Sequence, residues 1–215
     1  MKRLDFNERQ IQMGVCYIVS AGDMVKPFPP TKDGDLIIAA DAGYLHLEKM
    51  GVEPDILIGD FDSMPLPEDK KALVYPVRKD DTDTILAIKT GLEKGYADFV
   101  IYGGLGGERT DHTVANLQSL AFIAEKGGRG TLIGDGEYFT LIKDGEITVE
   151  SAEDKTFSVF AFGGNAEGVT IEGSHYDVEN VELSPFFPLG VSNKFRDKQV
   201  NIKVKKGCLL IVYNR

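Results

Sequence analysis

Ile56-Leu57-Ile58-Gly59-Asp60-Phe61-Asp62-Ser63 is an unbroken apolar run closed by a glycine and two carboxylates. A strand with one wet face alternates apolar and polar residues; a run without alternation fits a strand covered on both faces, as in a parallel sheet. The same texture recurs at Val15–Val19, at Leu36–Ala40, and over 73–77, 99–102 and 131–133, each rich in β-branched residues and bounded by Gly, Pro or Asp. Helical periods lie between these runs. One covers Gly43–Met50 and stops at Gly51; Ile85, Ile88 and Leu92 mark a second, stopped at Gly95; Val114, Leu117, Ala121 and Ala124 mark a third, stopped at Gly127-Gly128. Asp81, Thr82 and Asp83 are cap or first-turn residues for the second helix. The alternation predicts an α/β domain over residues 1–135, an open, doubly wound, mostly parallel sheet with helices on both faces.

After about residue 135 the texture changes. Alternating runs at 138–142, 147–150, 157–162, 169–172, 200–204 and 209–213 follow Gly-rich turns, with hairpin signals at Lys143-Asp144-Gly145-Glu146 and Lys206-Gly207. No helical period of useful length remains. Residues 136–215 therefore read as a small antiparallel β-sandwich. No flexible linker joins it to the first part, so the two are expected to pack firmly.

Composition narrows the partners. The 215 residues carry a formal charge of −10, which argues against nucleic acid because phosphate contacts need clustered Lys and Arg. No apolar stretch approaches the ~18 residues of a membrane span, and residues 1–10 have no apolar signal core. Two cysteines, Cys16 and Cys208, make no disulfide framework and read as core residues of a cytoplasmic protein.

In a parallel sheet, ligands bind outside the carboxyl ends of the strands. Each predicted exit carries an acid: Asp23, Asp41, the pair Asp60 and Asp62, the trio Asp80, Asp81 and Asp83, then Asp111 and Asp135. Capping explains some of them but not the doubled ones. In an extended chain Asp60 and Asp62 point to one side. Crowded carboxylates repel unless a cation sits among them, and hard oxygen ligands suggest Mg²⁺ rather than zinc. The loop Gly103-Gly104-Leu105-Gly106-Gly107 precedes a helix and could admit a phosphate, with Arg109 as a bidentate fork. It matches neither the P-loop nor a dinucleotide fingerprint. Asp111 and His112 could cap that helix or contact a nucleotide. His46 reads as structural or surface.

Taken in order, these segments resemble the thiamine pyrophosphokinase family. Ala40-Asp41-Ala42-Gly43 with Gly51-Val52-Glu53-Pro54-Asp55, then Gly59-Asp60-Phe61-Asp62-Ser63, Lys79-Asp80-Asp81-Thr82-Asp83-Thr84, Arg109-Thr110-Asp111-His112-Thr113 with Ala115-Asn116-Leu117, and Ser192-Asn193 are similar to successive motifs of that family. The resemblance implies transfer of a diphosphate group from ATP to the hydroxyethyl oxygen of thiamine, giving thiamine diphosphate and AMP. It implies Asp60, Asp62 and Asp83 as catalytic metal ligands, with Asp41 beside them. Gly103, Gly104, Arg109, Asp111 and His112 would hold ATP. Ser192 and Asn193 would face thiamine across a homodimer in which 136–215 is the thiamine-binding and dimerisation domain and 1–135 the ATP and Mg²⁺ domain. The chain lacks the tryptophan that some relatives pack on thiamine, so Phe186, Phe187, Phe195 or Tyr176 is left for that role, or none. Lys79 stands where some relatives carry glutamine, and Glu108 is an extra residue before Arg109.

Two other readings compete. Asp60-Phe61-Asp62-Ser63 superficially resembles the nucleophile motif of Mg²⁺-dependent haloacid-dehalogenase phosphatases. A non-catalytic sensor of nucleotide or thiamine diphosphate is the other, disfavoured because a binder needs fewer carboxylates.

Overall fold

Two of the strands expected to be covered on both faces are buried along their whole length. All five residues of β2 (Leu36–Ala40) and all four of β3 (Ile56–Gly59) are buried. The computed structural model describes residues 14–25, 27–59 and 81–214, and the backbone of 72–74. The first half runs β1 (Val15–Val19), β2, α1 (Gly43–Met50), β3, β4 (Ala72–Val74), α2 (Asp83–Glu93), β5 (Asp98–Tyr102), α3 (Thr110–Glu125) and β6 (Arg129–Ile133). Its strands are parallel, in the order β6-β5-β1-β2-β3-β4. Because β1 pairs with both β2 and β5, the strand order reverses at the β1/β5 boundary. A cleft opens at the carboxyl edge of such a switch point.

The second half runs β7 (Glu137–Lys143), β8 (Glu146–Glu150), β9 (Thr156–Ala161), β10 (Ala166–Glu172), β11 (Val178–Leu183), β12 (Asn193–Lys194), β13 (Gln199–Lys203) and β14 (Cys208–Asn214). These strands are antiparallel and form a sandwich, but its two layers differ in kind. One is a separate sheet, β11-β10-β13-β8. The other, β12-β9-β14-β7, is hydrogen-bonded onto the parallel sheet through β6 and β7, so among the described residues a single sheet of ten strands spans both halves. The chain changes from parallel to antiparallel at the short turn between β6 and β7, where Gly134 donates to the Glu137 carbonyl at 2.8 Å.

This sheet divides three cores between its two faces. On one face α2 and α3 cover Cys16, Ile18, Ile38, Ile58, Ile101 and Leu132, and the cover extends over Leu141 and Leu210 of the antiparallel strands. The opposite face meets α1 through Leu47 at one end, against Val19, Ile37, Ala39 and Leu57. At the other end it meets the second sheet, with Phe157, Val159, Leu209 and Ile211 packed on Val169, Val200 and Ile202. Alternation in β14 follows directly: Leu210 faces the helices while Leu209 and Ile211 face the sandwich interior. Burying such a side chain contributes about 1.5–3 kcal/mol, so both faces of β14 resist displacement.

Candidate active site

Backbone hydrogen bonding does not stop where β1 and β5 end. Ser20 N–H donates to Tyr102 O at 2.8 Å, Gly22 N–H to Gly103 O at 2.8 Å, and Asp23 N–H to Leu105 O at 2.9 Å. The two exit loops are thus zipped together above the sheet. Glycine is what permits it. Gly103 has φ +61°, and a Cβ there would lie 2.2 Å from the Ser20 carbonyl oxygen. Next door, a Cβ on Gly43 would lie 1.9 Å from Val19 O, so α1 also begins in direct contact with the end of β1.

Side chains lock this arrangement. Asn116, buried in α3, donates from Nδ2 to the Gly104 carbonyl at 2.7 Å. His46 Nε2 stands 3.0 Å from Gly22 O. The buried hydroxyls of Ser20 and Thr84 share a 2.9 Å hydrogen bond, which ties the exit of β1 to the first turn of α2. The cap of α2 is Thr82, whose Oγ1 accepts from Ile85 N–H at 3.3 Å.

The result is a cleft of about 330 Å³ at the switch point, walled by Ser20, Gly22, Asp41, Thr82–Thr84, the glycine loop, Arg109, His112 and Asn116. Asp41 reaches it from a left-handed backbone conformation, φ 51°, uncommon for a residue with a side chain. Its N–H donates to Ile58 O at 2.7 Å, tying the exit of β2 to β3. Asp83 enters from the first turn of α2.

The acids at the strand exits do not all converge. Asp41 and Asp83 share the cleft. Asp23 and Asp135 open instead onto a neighbouring hollow floored by Leu105 and Phe139. Asp81 turns away to meet Lys89 Nζ at 2.6 Å. Asp111 is taken by the exposed Arg109 fork, with Nη2–Oδ2 at 2.6 Å and Nε–Oδ1 at 3.2 Å. That guanidinium holds the Asp111 carboxyl below the usual carboxylate range. Asp60, Asp62 and Asp80 lie outside the described residues. Among the described residues no three acids, histidines or cysteines stand close enough together to hold a metal ion.

Ser192 and Asn193 stand elsewhere. β12 is the outermost strand of the ten-stranded sheet, five strand spacings from β5, or about 24 Å. Asn193 is only 8% exposed, and its amide is spent on Ser174, Tyr176 and Lys194. Ser192, with φ 60°, donates its N–H to Ser158 Oγ. The loops on either side of β11 carry exposed apolar side chains: Tyr176 at 73% exposure before it, Phe186 at 92%, Phe187 and Leu189 after it. Phe195 is fully buried against Phe157 and offers no face to a ligand.

His46, expected to be structural or surface, has the structural role. Thr84 and Asn116 are legible only as members of motifs, and Ser20 not at all. Nothing in their spacing marks their roles, since each acts through a partner distant in the chain.

Comparison with known proteins gives two adjoining matches of one family. The family model described as the thiamin pyrophosphokinase catalytic domain matches residues 31–129, and the one described as the thiamin pyrophosphokinase vitamin B1 binding domain matches residues 145–209. Thiamine pyrophosphokinase of Bacillus subtilis (strain 168) is 29% identical over 190 residues, covering 85% of this chain and 88% of its own. A crystal structure of thiamine pyrophosphokinase from Bacillus subtilis superposes with a TM-score of 0.82 at 25% identity, over 93% of this chain and 98% of that one. Thiamin pyrophosphokinase from Geobacillus thermodenitrificans shares the fold, with a TM-score of 0.80 at 22% identity over 94% of this chain and 97% of its own.

Proposed function

The chain belongs to the thiamine pyrophosphokinase family, and from that premise we propose how its residues divide the labour. The activity is ATP-dependent formation of thiamine diphosphate, which the family match favours over a phosphatase or a sensor. In that reaction the hydroxyethyl oxygen of thiamine bonds to the β-phosphorus of ATP. The bond from that phosphorus to the oxygen bridging the α-phosphate breaks, AMP leaves, and the hydroxyl proton passes to a base.

The cleft at the β1/β5 switch point is our site for the triphosphate. The observation that carries this assignment is the convergence there of Asp41, Asp83, the Gly103–Gly104 backbone, Arg109 and His112. The zipped glycine loops let phosphate oxygens approach the backbone, and the start of α3 favours anions. Arg109 can turn its fork from Asp111 to phosphate, since both are exposed.

The donor chemistry of the cleft suits Mg²⁺. Asp41 and Asp83 stand with the hydroxyls of Ser20, Thr82 and Thr84, all hard oxygens. Mg²⁺ is commonly held by one or two carboxylates with phosphates and water completing its shell. Asp60 and Asp62, next in the chain after β3, complete our proposed ligand set. Mg²⁺ would supply charge neutralisation on the phosphates. One of these aspartates receives the hydroxyl proton.

Thiamine is held, in this proposal, by the 136–215 half of a second copy. The spacing supports it: Ser192 and its neighbours lie about 24 Å along the sheet from the cleft. The exposed apolar cluster of Phe186, Phe187 and Leu189 is also of the kind that marks an interface. Of the aromatic candidates, Tyr176 is our choice for the thiamine ring, because it is exposed on an anchored backbone. Low cysteine use, with Cys16 and Cys208 both free, supports a cytoplasmic setting. No helix of the described residues is long and apolar enough to cross a membrane.

The test is product analysis. Protein with ATP, Mg²⁺ and thiamine should yield thiamine diphosphate and AMP in equal amounts. ADP and phosphate as products, or binding without turnover, would contradict the assignment.

A further inference from the structure

Asn193 falls in a segment where a ligand contact was expected, yet its side chain is spoken for. Oδ1 accepts from Tyr176 N–H at 3.2 Å and from Lys194 N–H at 2.8 Å. Nδ2 donates to Tyr176 O at 3.0 Å and to Ser174 Oγ at 3.2 Å. An amide side chain offers two donor hydrogens and one acceptor oxygen with two lone pairs, so all four positions are filled. Both backbone polar groups of Tyr176 are bonded to the same amide. Asn193 thus serves Tyr176 as the peptide group of a neighbouring strand would, at a place where the chain forms only an isolated bridge, Ser174 with Phe195.

The rest of the turn is fastened in the same way. Asp177 Oδ1 accepts from Ser174 N–H at 2.8 Å and from its hydroxyl at 2.9 Å, and Arg196 Nη1 lies 3.0 Å from Asp177 Oδ2. His175 N–H donates to Lys194 O at 3.0 Å, and Arg196 N–H to Gly173 O at 3.0 Å. Ser174 is fully buried and Asn193 nearly so, whereas the ring between them is 73% exposed. Such fastening under an exposed aromatic ring fixes the backbone from which the ring projects. Holding the ring in place beforehand spares the ordering cost when a ligand stacks on it.

We propose that Asn193 is a positioning residue: it clamps the backbone of Tyr176 and thereby sets the ring for thiamine, without itself touching the substrate. The proposal rests on the reading of Tyr176 as the thiamine-facing aromatic, and the experiment separates the two. The first part is a double-mutant cycle on the thiamine KM, with the ATP KM and kcat as controls. Tyr176→Ala and Asn193→Ala should each raise the thiamine KM about tenfold, and the double variant should raise it hardly more than Tyr176→Ala alone. Additive effects would mean that Asn193 binds thiamine directly and would overturn the proposal. An unchanged thiamine KM in Tyr176→Ala would overturn the reading of Tyr176, and the proposal with it.

The second part needs no turnover. The chain contains no tryptophan, so Tyr176→Trp places a single indole reporter at the turn. Adding Asn193→Ala should lower the fluorescence anisotropy of that reporter while the melting temperature falls by only a few degrees. If Asn193→Ala does not fold, Asn193→Asp, which keeps the acceptor and loses both donors, is read in its place. Anisotropy unchanged in a folded variant would show that the clamp does not hold the turn, and would overturn the proposal independently of Tyr176's role.

Discussion

The cleft at the β1/β5 switch point and the turn beneath Tyr176 use polar side chains in different ways. At the cleft glycine loops interlock through main-chain hydrogen bonds, Asn116, His46 and the Ser20–Thr84 pair fasten them from behind, and Asp41, Asp83 and His112 line the space. At the turn the polar side chains do the holding. Ser174, Asp177, Asn193 and Arg196 bond to the chain or to each other, and what faces solvent is aromatic. A site for a charged triphosphate needs polar groups left facing the ligand, and close backbone approach provides the rigidity. A site for a flat ring needs a fixed apolar face, and buried polar groups can provide it. The difference teaches that a polar residue in a family motif need not be a ligand contact.

That contrast can be broken in several places. If Asp83 faces the phosphates as proposed, Asp83→Asn should lower kcat about a thousandfold with the thiamine KM little changed and a far smaller effect on the melting temperature. Steady-state kinetics beside a thermal melt would show it. A comparable loss of stability would mean that Asp83 holds the fold instead.

Gly103→Ala should cost about 3 kcal/mol of stability, since the left-handed backbone and the Ser20 carbonyl both reject a methyl group. Urea unfolding would measure it. The matching change at Gly136, φ +72° with no atom near its Cβ position, should cost about 1 kcal/mol. Equal losses would show that close approach is not what the cleft relies on.

Asn116→Ala leaves the buried Gly104 carbonyl without its donor, worth about 1–3 kcal/mol. The expected result is a higher ATP KM with the thiamine KM unchanged, the mirror image of the result expected at Asn193.

The smallest effect is acid sensitivity at the turn. Partial burial raises the Asp177 pKa, but hydrogen bonds from Ser174 and the Arg196 guanidinium outweigh it and hold the carboxyl below its usual range. A lowered folded pKa means the fastening is fully present above the unfolded value near 3.9 and is lost as pH falls through the folded value. The anisotropy of a Tyr176→Trp reporter should therefore stay flat from neutral pH down to about 4 and drop only below it. A drop already well above pH 4 would contradict the assignment of the fastening to Asp177.

Much of this was legible in the letters. The bounds of β1, β2 and α1 follow from apolar runs and stop residues alone, and the glycine loop was found at the exit of β5. What escaped was non-local. β11, Val-Glu-Asn-Val-Glu-Leu, has only its last residue buried, so its alternation is too faint to separate from a loop. β12 is two residues long and exists only through its pairing with β9. That the sandwich shares a sheet with the parallel strands depends on β6 meeting β7, and no periodicity encodes which strands pair. Asn193 was legible as important but not as buried, because a hydrogen-bonding side chain reads alike whether its partner is substrate or backbone.

The central claim is that the cleft of one copy works with the Tyr176 turn of another. It can be tested by mixing two crippled variants, Asp83→Asn and Tyr176→Ala, under conditions that exchange subunits, and assaying at low thiamine. Random pairing would make half the dimers mixed, each with one undamaged site, so about a quarter of the native activity should return. No recovery above the two separate variants, with exchange verified, would contradict the account, since it would mean that both residues serve a site within one chain.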